Sequence, residues 1–104
     1  MQERADRIFP VRKGQWEEEG QSIILLRKKS KYKILRKLWG EYFRIHLDEI
    51  GSYTWKLCDG SLSLLQIAEK LEEEFGIEDA LKRTETFLLS LYRGGFLDFK
   101  MEEK

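Results

Sequence analysis

Residues Ile45–Gly60 read "IHLDEIGSYTWKLCDG". The preceding residues "EYFRIHL" (41–47) alternate, with Phe43, Ile45 and Leu47 on one side and Tyr42, Arg44 and His46 on the other, the pattern of a half-buried strand. Asp48 then offers a side-chain oxygen to uncapped helical N–H groups. The next ten residues place Ile50, Tyr53, Trp55, Leu57 and Cys58 on a short helix that Asp59-Gly60 ends. A strand therefore turns into a helix at a single residue, and this corner organises the rest of the chain.

Downstream, "SLLQ" (63–66) is a capping box, with serine at the N-cap and glutamine three residues on. It opens a helix whose apolar stripe is Leu64, Ile67, Ala68, Leu71 and Phe75, with acids on the opposite face and Gly76 as the stop. A last helix is expected over 78–93, its stripe formed by Ala80, Leu81, Thr84, Phe87, Leu88 and Leu91. Gly94-Gly95 breaks it, and "FLDF" returns as a short strand. At about 100° per residue, Leu89 falls far outside that stripe and Tyr92 at its margin. This second apolar face reads as a groove wall or a dimer contact.

Upstream, "IFPVRK" (8–13) predicts an edge strand that tolerates Pro10, "GQWEEEG" (14–20) a polar turn, and "QSIILLR" (21–27) a strand apolar on both faces. The segment 30–39 predicts a short basic amphipathic helix, with Tyr32, Ile34, Leu35, Leu38 and Trp39 on one arc and Lys33, Arg36 and Lys37 opposite. The expected fold is α+β: a winged helix-turn-helix, with a three-stranded antiparallel sheet followed by a three-helix bundle and the basic helix inserted before the third strand. At 104 residues the chain is expected to form one domain, comprising N-terminal strands 8–27, a basic insertion 28–40, a core 41–97 and a frayed tail 98–104.

Composition narrows the function. Apolar residues are 41% and charged residues 37%, which fits a charge-rich globular chain. No apolar run approaches the roughly 18 residues of a membrane span. The single cysteine, Cys58, excludes an internal disulfide and fits a reducing cytoplasm. One Cys and one His cannot build a thiolate–imidazole zinc site. No nucleophile constellation and no phosphate loop stands out, so neither catalysis nor a metal or organic cofactor is expected. Residues 27–44 carry eight bases against Glu41, whereas 61–93 carry seven acids against four bases. A last helix that opens on Glu78-Asp79 argues against duplex DNA, whose phosphates repel carboxylates.

The run "LDEIGSYTWKLCDG…SLLQIAEKLEEEFG", with a closing helix that runs into Gly95-Phe96-Leu97, resembles the PqqD family over roughly residues 41–97. The basic segment 28–39 departs from the family's founding member. The resemblance implies a non-enzymatic adaptor that binds the leader segment of a ribosomally made precursor peptide and presents it to a modifying enzyme, often a radical enzyme. It further implies that the peptide adds as a strand beside 41–47 and docks against the last helix. The implied peptide-binding residues are Tyr42, Phe43, Arg44, Ile45 and His46 from the strand, and Lys82, Glu85, Leu88, Leu89 and Tyr92 from the helix. The alternative is a winged-helix nucleic-acid-binding or regulatory protein.

Overall fold

The computed structural model describes residues 4–28 and 42–102. Five strands and three helices follow in the order β1 (Ile8–Arg12), β2 (Gln15–Glu19), β3 (Ser22–Lys28), β4 (Tyr42–His46), α1 (Glu49–Leu57), α2 (Leu64–Phe75), α3 (Ala80–Arg93) and β5 (Leu97–Met101). The architecture is mixed α+β. One antiparallel sheet has the order β2-β3-β4, and a second pairs β1 with β5. The basic helix expected at 30–39 lies outside the described residues.

The three-stranded sheet is present, but one of its members differs from the expectation. Residues 15–19, read as a turn, are a strand, and the turn is the two-residue connection Gly20-Gln21, with Gly20 at φ +63°. All five β2 side chains are exposed. Main-chain pairing to β3 holds the strand, so its side chains carry no alternation to read. The strand at 8–12 belongs instead to the second sheet, where it pairs with β5 from Ile8↔Met101 to Arg12↔Leu97. The short strand expected at "FLDF" is there, and Lys100 and Met101, expected to fray, continue that ladder. Pro10 fits because its missing N–H faces the other side: there its carbonyl accepts from Gly60 N–H (3.1 Å), and Arg12 N–H donates to Cys58 C=O (2.8 Å).

The helices follow their local signals. Asp48 Oδ1 accepts from Gly51 N–H, and Ser63 and Gln66 complete the capping box in both directions (3.2 and 2.9 Å). Gly76 closes α2 at φ +64°, a conformation that disfavours any side chain. The last helix begins at Ala80, two residues later than expected, after Asp79 in the left-handed region (φ 53°).

The core joins Ile23 and Leu25 of β3, Trp55 of α1, Leu64, Ile67 and Leu71 of α2, Leu88 and Leu91 of α3, and Leu97 of β5. Trp16 of β2 meets Trp55 edge to face at 5.5 Å, and Arg12 lies over the Trp16 ring. Cys58 is buried, and its Sγ donates to Thr54 C=O (3.2 Å). Burial pushes this thiol up to about 12, with the Arg12 guanidinium pulling the other way.

At the corner the ladder ends in an inserted hydroxyl. Leu47 N–H donates to Ile23 C=O (3.0 Å), but Ile23 N–H donates to Ser52 Oγ (2.9 Å), which in turn donates to Leu47 C=O (3.2 Å). Ser52 is 1% exposed. Ser52→Ala would leave the Ile23 N–H buried without its partner, so we expect a loss of about 1–3 kcal/mol in urea unfolding. Ser63→Ala, which removes one half of the capping box, is expected to cost about 1 kcal/mol in the same assay.

The Cys58 thiol gives a pH test. Its proton is held up to about pH 12 in the folded protein and released near 9 when unfolded. The unfolded state therefore binds fewer protons in that window, and stability falls as pH rises above 9. Cys58→Ala should flatten that limb of a melting-temperature profile.

Candidate functional site

Among the described residues, β4 is an edge strand. Its inner side pairs with β3 through Ile24↔His46, Leu25↔Ile45 and Leu26↔Arg44. Because Leu47 N–H points to β3, the alternation of an antiparallel ladder turns the main-chain groups of Ile45 the same way and those of Arg44 and His46 outward. Among the described residues, nothing pairs with that outer edge.

The two faces of the sheet are distinct. Trp16, Leu25 and Ile45 share the face that packs on Trp55, since they are mutual partners and Trp16 touches that ring. Arg44 and His46 belong to the opposite face. There Arg44 Nη1 reaches across β3 to Glu17 Oε2 (2.8 Å), with both side chains about half exposed. Such a pair contributes about 0–1 kcal/mol. Ile24, on the same face, is 3% exposed yet lies outside the main core cluster, so the strand read as apolar on both faces is indeed buried on both.

The helical side of the site is built by α3 and the start of α1. A Cβ added at Gly51 would lie 3.3 Å from Phe87 Cζ and 3.4 Å from Leu47 Cβ, so Phe87 and Leu47 converge over Gly51. Beside this point a cavity of about 210 Å³ opens, lined by Asp48, Ile50, Leu71, Ile77, Arg83 and Phe87 among others. A wider groove continues from it along α3, past Arg83, Phe87, Lys82, Thr86 and Ser90 to Asp79. Ile45 and Ile50 remain 38% and 39% exposed at the strand end and the helix start.

The residues expected to form the site are thus only partly together. Tyr42 and Phe43 are the first residues of β4, in register with Lys28 and Arg27. Ile45 faces the helical side, whereas Arg44 and His46 present side chains to the other face and only their main chain to the open edge. Lys82 lines the groove. Leu88 is fully buried in the core and forms no part of a surface. Tyr92 packs on Phe99 of β5 (5.4 Å), and Leu89 is half-buried outside the core cluster. Glu85 is half-buried, with Oε2 unpartnered among the described residues.

The helix therefore presents one face to the α1 corner (Arg83, Phe87) and another bearing Tyr92 toward β5. Sequence reasoning missed the first because Phe87 fits the core stripe and Arg83 reads as a solvated base. The available signal was Gly51, whose missing side chain admits Phe87. Among the described residues no group of His, Cys, Asp or Glu is arranged to hold a metal, and no helix is long and apolar enough to cross a membrane.

Residues 23–97 match the family model of coenzyme PQQ synthesis protein D (PqqD). Neither the curated proteins nor the solved structures yielded a match to the chain. The matched span contains β3, β4 and all three helices, that is, the open edge, the corner and the groove. With well over half of its length matched, the chain belongs to the PqqD family.

Proposed function

We propose that this protein is a non-enzymatic peptide-binding adaptor. It takes the leader segment of a ribosomally made precursor peptide as an added strand on the outer edge of β4, and it presents that peptide to a modifying enzyme. The observation that carries the reading is the outward main chain of Arg44 and His46 on an edge with no partner among the described residues. Unpaired edges invite strand addition and are normally blunted. Main-chain pairing supplies affinity, and alternate side chains of the guest supply specificity. The groove beside Phe87 and the half-exposed Ile45 and Ile50 offer that specificity. The α2–α3 pair, with its Gly76 turn, serves in this reading as a winged helix-turn-helix whose last helix faces a peptide rather than a DNA groove. The exposed Glu78 and Asp79 before α3 support that choice, because they would meet phosphates with like charge.

The test separates main chain from side chain. His46→Pro removes an outward N–H while sparing the ladder to β3, a substitution that edge strands tolerate. With a leader segment of a candidate precursor peptide as the titrant, we expect amide shifts in 44–46 and along the groove face of α3. We also expect about tenfold weaker binding for His46→Pro and nearly unchanged binding for His46→Ala. Equal affinity of the proline variant and the parent protein, or shifts confined to β1, β2 and α2, would remove strand addition at β4.

A further inference from the structure

The cavity at the α1–α3 corner specifies more about the guest than its backbone. Its volume, about 210 Å³, lies below the roughly 300–1,000 Å³ of small-molecule and cofactor sites. It is the size for one side chain. Its floor and walls are mostly apolar, with Ile50, Leu71, Ile77 and Phe87 beside the hydroxyls of Thr54 and Thr84. Two charged groups stand at it, Asp48 and Arg83. Asp48 is already engaged in capping α1, accepting from Gly51 N–H at 2.6 Å. Arg83 is exposed, forms no ion pair with a described residue, and lines both the cavity and the wider groove. Lys82 adds a second cation to that groove, against the single acid Asp79.

We infer that this cavity is the anchor pocket for an apolar, aromatic-sized side chain of the bound peptide, and that Arg83 selects a carboxylate on the residue next to that anchor. The inference rests on the peptide-binding reading and narrows its substrate to leader segments carrying an apolar–acidic step. Filling the cavity removes the anchor from water, and Phe87 gives an aromatic anchor a ring to pack against. The Arg83 guanidinium pairs with the neighbouring carboxylate at the rim, where it acts on specificity more than on affinity.

Capped dipeptides, too short to form a strand, test the pocket separately from strand addition. Ac-Phe-Asp-NHMe, Ac-Phe-Asn-NHMe and Ac-Ala-Asp-NHMe are titrated into the full chain, with the methyl signals of Ile50, Leu71 and Ile77 as the readout. The expected result is saturable methyl shifts with both phenylalanine probes, none with the alanine probe, and about threefold tighter binding of the aspartate than the asparagine form. Arg83→Gln should equalise those two affinities while the methyl shifts persist. Absence of methyl shifts with Ac-Phe-Asp-NHMe, or an aspartate preference that survives Arg83→Gln, overturns the inference. If that happens while a longer leader peptide still shifts the amides of 44–46, strand addition stands and only the anchor assignment falls.

Discussion

One hydroxyl bridges sheet and helix. Ser52 Oγ stands between Ile23 N–H and Leu47 C=O, in the place where the next rung of the β3–β4 ladder would close. A chain that leaves a sheet within one residue strands buried main-chain groups, and each costs free energy if left unpaired. The serine meets both groups from the first turn of α1. That fixes α1 against β3, which brings Trp55 under Ile23 and Leu25 and within edge contact of Trp16. The preceding Gly51 is also constrained, since any side chain there would press on the capping Asp48 carboxylate (3.0 Å) and on Phe87 (3.3 Å). The "GS" step of the corner is thus two requirements side by side: a hydroxyl for the ladder, and a bare Cα for α3.

What the sequence made legible was mostly local. Capping residues and stripes place α1 and α2 nearly to the residue, because Asp48, Ser63 and Gly76 act on neighbours within one turn. The pairing of β1 with β5 was not legible, since it joins residues almost a chain length apart and either strand alone has several acceptable partners. β2 was missed for the opposite reason: three successive glutamates on an exposed strand carry no alternation, and only Trp16 marks its inner face. In α3 the periodicity correctly separated Leu89 from Leu88. It did not show which outer face meets the corner, a matter of tertiary placement that Gly51 and Phe87 decide.

The sheet has two outer edges, and they are not equivalent. β2 sets Glu17, Glu18 and Glu19 along one of them, and charge along an edge discourages further pairing. β4 carries Arg44 and His46 at its outward positions. The Arg44 guanidinium is drawn back over the sheet to Glu17, which leaves the main chain of the strand accessible at that point. The same ion pair that contributes little to stability thereby clears one edge and partly neutralises the other. On the peptide-binding reading, an acidic guest strand meets repulsion at β2, and at β4 it meets main chain that is unpaired among the described residues.

An open edge is also a hazard, and its length limits the risk. β4 is five residues long, ends at the corner, and so offers only a few outward rungs. Pairing along so short an edge offers little against the lost translational freedom unless side chains add to it. On the proposed reading, a guest that also fills the cavity beside Phe87 gains that addition, and a strand without a matching anchor does not. Putting the apolar pocket at the end of a short edge therefore divides recognition in two. On the proposed reading, the main chain accepts any extended segment weakly, and the pocket decides which segments stay.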